Sequence, residues 1–89
     1  MSEARQRVDV WLFRTRLCKT RAEAARLISE GGVRLVHNGQ ARRLEKPSVE
    51  LAQGDVLVLP GAAGLRTIEV RALGVRRGPV AEARALYHD

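Results

Sequence analysis

The chain is 89 residues long, 45% apolar, and carries a net charge of +6. That length bounds it to one small domain with one core. With only Trp11, Phe13 and Tyr87 aromatic, the core falls to Leu, Val, Ile and Ala. A single cysteine, Cys18, excludes an internal disulfide and suits a reducing compartment. No apolar run approaches the roughly 18 residues a membrane span needs, and no signal-peptide pattern opens the chain. A soluble, cytoplasmic protein is expected.

Residues 1–6 read as a flexible polar lead-in. Residues 8–16 predict a first helix, with Val8, Leu12 and Thr15 on one face. Residues 20–30 predict a second. Thr20 is a good N-cap, Glu23 completes a capping box three residues on, and Gly31-Gly32 is a strong stop. The short link predicts a helix hairpin. Val33 to Val36 then reads as a short strand. Asn38-Gly39 favours a type I′ hairpin turn, and residues 40–44 would return along it. Lys46-Pro47-Ser48 breaks that strand. Residues 56–59 form the next strand, PGAAG at 60–64 reads as a loop, and residues 65–73 alternate as a last strand around Ile68 and Val70. Pro79 opens a short final helix through Leu86. Helices followed by strands argue for an α+β fold: the two-helix hairpin on a small twisted, mainly antiparallel sheet, with a short C-terminal helix.

Charge is distributed unevenly. Residues 1–46 hold 11 Lys/Arg against 5 Asp/Glu, whereas residues 47–89 hold 5 of each. The whole excess lies in the first half, a footprint that fits a nucleic-acid binder. Its densest part is Arg14 to Arg21, RTRLCKTR, where four of eight residues are cationic beside the capped start of the second helix. Helix N-termini attract anions, and basic side chains strengthen the attraction. From residue types alone, an RNA site and a merely solvated basic turn fit equally well.

Nothing in the chain has catalytic spacing. There is no GxSxG, P-loop or dinucleotide fingerprint, and Asp9 has no partner carboxylate. His37, His88 and Cys18 lack metal-ligand spacing, so no metal or cofactor is expected. Trp11 reads as core rather than a base-stacking platform, and Asp9 as a helix-end or arginine-orienting residue.

The order RVDVWL, KTRAEAARLISEGGVRL, HNG, KPS and GD resembles the ribosomal S-four-type RNA-binding domain, the alpha-L motif. The resemblance is densest at Lys19, Thr20, Arg21, Ala24, Leu27 and Ile28, followed by Gly31 and Val33. The tail RRGPVAEARALYHD and the opening RVDVWLFRTRLCKTR are similar to the fifteen-kilodalton heat-shock RNA-binding proteins of that family. The sequence departs from them at Val10, where they usually carry Lys, and in a shorter basic tail.

The resemblance implies an RNA-binding domain over residues 7–75, with a C-terminal extension at 76–89. It implies a non-enzymatic protein that docks on ribosomal RNA of the large subunit. Its role would be to recycle large subunits carrying nascent chain-tRNA during heat stress, with tRNA or single-stranded nucleic acid as further partners and no membrane partner. Arg14, Arg16, Lys19 and Arg21 are the expected main phosphate contacts. Arg7, Arg26 and Arg34 flank them, Thr20 is both cap and phosphate neighbour, and Asn38 and Lys46 lie in loops within reach of RNA. Arg26 has Glu23 and Glu30 as alternative partners at helical spacing. A monomer is expected. The alternatives are an accessory module for an RNA-modifying enzyme such as a pseudouridine synthase, and a DNA-binding or adaptor protein.

Overall fold

Two tightly stopped helices set the geometry of the computed structural model, which describes residues 4–89. The chain runs β1 (Arg5–Arg7), α1 (Val8–Arg14), α2 (Arg21–Ser29), β2 (Arg34–His37), β3 (Gln40–Arg43), β4 (Glu50–Ala52), β5 (Val56–Gly61), β6 (Gly64–Val70), α3 (Val80–Arg84) and β7 (Tyr87–His88). The fold is α+β, and all strand pairs among the described residues are antiparallel. Five strands form one sheet in the order β3-β2-β5-β6-β7, and β1 pairs β4 in a separate ribbon.

Both helix ends of α2 follow from its sequence. The Thr20 hydroxyl accepts the Glu23 N–H at 2.9 Å, satisfying a donor that has no carbonyl inside the helix. At the other end Gly31 takes φ +80°, and the Gly31 and Gly32 N–H groups donate to Ile28 and Leu27 carbonyls, both at 2.9 Å. This is a Schellman stop, in which the left-handed residue wants no Cβ. Gly32 is needed for space instead: a Cβ there would lie 2.7 Å from Leu27 Cδ1.

The first helix ends less conventionally. Thr15 donates its hydroxyl back to the Trp11 carbonyl at 2.8 Å, and Arg16 then enters the left-handed region at φ 62°. An arginine there costs backbone strain that glycine would avoid.

The core lies between the helices and one face of the five-stranded sheet. Trp11, Leu12, Ala24 and Ile28 meet Leu35, Leu57, Leu59, Ile68 and Val70, all buried. Trp11 is wholly buried, donates its indole N–H to the Ala72 carbonyl at 3.0 Å, and meets Tyr87 edge-on at 6.5 Å between ring centroids. Its reading as core holds.

Several expectations need correction. The flexible lead-in at 1–6 does not extend to Arg5 and Gln6, which pair with Ala52 and Leu51 in the ribbon; residues 1–3 lie outside the described residues. The first helix stops at Arg14 rather than 16. PGAAG is not an open loop. Pro60 and Gly61 pair with Leu65 and Gly64, leaving only Ala62-Ala63 as the turn. The last helix ends at Arg84, and the chain returns through β7 to pair with β6, so the extension at 76–89 is built into the sheet. The type I′ expectation at Asn38-Gly39 fits, with φ of 50° and 78° and His37 paired to Gln40.

Candidate nucleic-acid interface

The corner between α1 and α2 gathers charge around one buried carboxylate. Asp9 is 3% exposed and lies in the first turn of α1. Arg7 grips it with two donors, Nε at 3.1 Å and an Nη at 2.9 Å. Arg21 stands on its other side at 3.9 Å, with 55% of its side chain exposed. Asp9 therefore orients two guanidinium groups, and most of the Arg21 group still faces solvent. Lys19 and Thr20 are exposed immediately before Arg21. The N–H groups of Arg21 and Ala22 open α2 with no carbonyl ahead of them in the helix. Arg7, Lys19, Thr20 and Arg21 thus lie at one basic corner of the fold.

Arg14 and Arg16 are committed differently. An Arg14 Nη donates to the Gly74 carbonyl at 2.6 Å, and Arg16 Nε donates to the Gly78 carbonyl at 2.7 Å. Gln6 brackets Gly74 as well, donating to its carbonyl at 2.6 Å and accepting its N–H at 3.1 Å. Arg77 completes the clasp, 4.8 Å above the Phe13 ring. These side chains strap the segment 74–78 across the end of α1. The strain at Arg16 now has a reason, because a glycine could not reach Gly78. Sequence reasoning missed this strap. Its partners are about 60 residues apart, and Gly74 and Gly78 carry no local signal.

The remaining expected residues are dispersed. Arg26 reaches Glu30 at 3.9 Å, one helical turn on and exposed, an arrangement worth about 0.3–0.5 kcal/mol. Arg34 is opposite Arg43 in the β2–β3 register and shares the sheet face that points away from the helices. Asn38 occupies its exposed turn, and Lys46 is exposed in the loop before β4. The structure therefore gathers four of the ten expected residues at the corner.

Cys18 is buried beside this corner, and burial, aided by the Glu23 carboxylate, pushes its thiol from 9.0 up to about 11. In the unfolded chain the thiol ionises at the lower value. Between pH 9.0 and about 11 the unfolded state therefore loses its proton first, and stability falls as pH rises. At 1.36 kcal/mol per pH unit the loss approaches about 2–3 kcal/mol, with no effect below that window. Urea midpoints compared at about pH 8 and about pH 10.5 should show a drop that Cys18→Ala abolishes.

Among the described residues no group of His, Cys, Asp and Glu is placed to hold a metal ion. No helix of the described residues is long and apolar enough to cross a membrane.

Comparison with known proteins agrees with the fold. Residues 6–57 match the S4 domain. Heat shock protein 15 of Escherichia coli strain K12 is 37% identical over 83 residues, covering 93% of this chain and 59% of that protein. The protein of strain O157:H7 matches to the same extent. The chain thus spans about three-fifths of the length of the curated relatives it matches. The trimeric structure of Vibrio cholerae heat shock protein 15 superimposes with a TM-score of 0.80 at 30% identity, covering 96% of this chain and 81% of that one.

Proposed function

This chain belongs to the S4 domain family, in its heat shock protein 15 branch, and is an RNA-binding protein; from that premise we propose that it docks on ribosomal RNA of the large subunit through the α1–α2 corner. The observation that carries the reading is the pairing of Arg7 and Arg21 with Asp9 at the open end of α2, with the exposed Lys19 two residues before Arg21. Such an array binds phosphates, with Asp9 setting the directions of the arginine forks. It reads backbone shape rather than base sequence, as structured RNA usually requires. No step of this reading involves bond making, and the role proposed is non-catalytic.

The cellular role we propose is recycling of large subunits that carry nascent chain-tRNA under heat stress, with tRNA as a secondary contact. One copy holds the whole corner, so docking needs no oligomer, although the Vibrio protein is trimeric. Pull-down of the tagged chain from heat-stressed cells tests the role. Enrichment of free large subunits over small subunits and intact ribosomes is expected. Equal recovery of all particles at low salt would contradict the large-subunit assignment, and co-purification with an RNA-modifying enzyme in their place would favour an accessory role.

A further inference from the structure

The face of the sheet that points away from the helices carries a second basic feature, separate from the corner. Register places three rows on it. Arg43, Arg34, Val58 and Thr67 form one row, and Ala41, Val36, Val56 and Glu69 form the next. Pro60 and Leu65 pair at the open end beside Gly32. Between them lies a cleft of about 520 Å³ whose floor is Val36, Val58, Pro60 and Leu65, with Arg34 at its wall. The Arg43 side chain lies over Gly31, where a Cβ would approach its Cδ to 3.2 Å.

Two properties of this cleft call for a ligand. Arg34 and Arg43 are directly opposed like charges, an arrangement that destabilises a strand pair. Neither has an ion-pair partner among the described residues, and no carboxylate lines the cleft. In addition, Leu65 is 78% exposed on the floor beside them. A lone exposed leucine is ordinary, but an apolar floor with one unneutralised cation at its wall, Arg34, and a second, Arg43, reaching over the lining Gly31 matches a ligand with one flat apolar part and one anionic part. A nucleotide has that form.

We propose that this cleft binds a single-stranded RNA segment, its phosphate bridging Arg34 and Arg43 and its base lying over Val58, Pro60 and Leu65. The site rests on the reading of the chain as an RNA binder and adds a second, single-strand contact on the face opposite the corner. An arginine pair holds a phosphate by charge-assisted bonds, and sheet surfaces offer bases a stacking floor. Here the floor is aliphatic, so the grip on the base is sequence-tolerant and the arginines supply most of the affinity.

The test is a titration of the chain, isotope-labelled at Val and Leu methyls and backbone amides, first with a short oligouridylate and then with folded large-subunit rRNA. Oligouridylate should shift Val36, Val58 and Leu65 methyls, and should still do so in Arg21→Glu. Arg34→Gln with Arg43→Gln should weaken oligouridylate roughly tenfold, the size of one lost charge-assisted contact. It should also lower the salt slope by about 0.7, the share of one phosphate on a single strand. Leu65→Ser, at a site too exposed to disturb folding, should weaken it as well. Oligouridylate shifts confined to the N-terminus of α2 would overturn the proposal. So would methyl shifts that follow protein concentration in place of RNA, which would assign the face to a second copy. Amides at Lys19 to Ala22 report on the corner in the rRNA titration, so failure there is read separately from failure of the cleft.

Discussion

Arg21→Glu should lower affinity for large-subunit rRNA by about a hundredfold while leaving the fold intact. The expected size comes from losing a charge-assisted contact of about 1.5–3 kcal/mol and adding repulsion against phosphate. The fold should survive because the side chain is more than half exposed, its ion pair with Asp9 is long at 3.9 Å, and Asp9 keeps Arg7 as its close partner at 2.9 Å. An acidic residue in the first turn also suits the helix dipole. Arg84→Glu, the same charge change on α3, should alter affinity less than about threefold, since screening removes most distant charge effects. Filter-binding titrations at one fixed salt concentration compare the three proteins, with thermal melts as the folding control. Equal losses in both variants would mean that net charge, rather than the corner, governs binding.

Trp11→Ala should be the most damaging single substitution to stability. The side chain is wholly buried, touches Tyr87, and bonds the Ala72 carbonyl. Truncating such a residue costs about 3–5 kcal/mol, against a typical total of about 5–15 kcal/mol for a domain. The carbonyl of Ala72 also loses its partner, which is part of that cost. Urea unfolding should show the midpoint fall by a third or more, or no folded baseline. Trp11→Phe should be intermediate, keeping a ring but not the N–H. Because Trp11 ties α1 to the segment after β6, its loss should also loosen the 74–78 strap and the corner beside it. A midpoint within experimental error of the parent would show that Trp11 does not anchor the core.

What the sequence revealed was local. Thr20 with Glu23, Gly31-Gly32 and Asn38-Gly39 are short-range signals. Each fixes its own backbone through a cap, a left-handed stop or a mirror-image turn, so α2 and the β2–β3 hairpin were legible. The ribbon of β1 and β4 was not. RQR and ELA are three-residue segments without alternation, and they exist as strands only because they find each other across more than 40 residues of chain. PGAAG was misread for a similar reason. Its glycines suggested a loop, yet β5 and β6 pair down to Gly61 and Gly64.

The candidate site divides in the same way. Lys19, Thr20 and Arg21 were visible because they flank a cap. The Arg-orienting role of Asp9 was visible as chemistry, but its partners were not. Arg14 and Arg16 look equivalent to Arg21 in the sequence. The structure separates them, since their guanidinium groups reach carbonyls of Gly74 and Gly78 that no local pattern marks. Arg34 also looked like a flank of the corner. One residue of strand register sends it to the opposite face, because its neighbour Leu35 is the one that enters the core.

Basic residues of the first half thus fall into three places: the α1–α2 corner with Arg7, Lys19 and Arg21, the proposed RNA contact; the strap with Arg14 and Arg16; and the arginine pair on the sheet. The first of these is where large-subunit rRNA is proposed to dock. Photo-crosslinking of the intact chain to large-subunit rRNA, with the joined peptides identified by mass spectrometry, tests it most directly. Crosslinks should concentrate at Arg7 and at Lys19 to Ala22, and should fall in Arg21→Glu. Crosslinks confined to residues 80–89, with the opening of α2 unmodified, would contradict it.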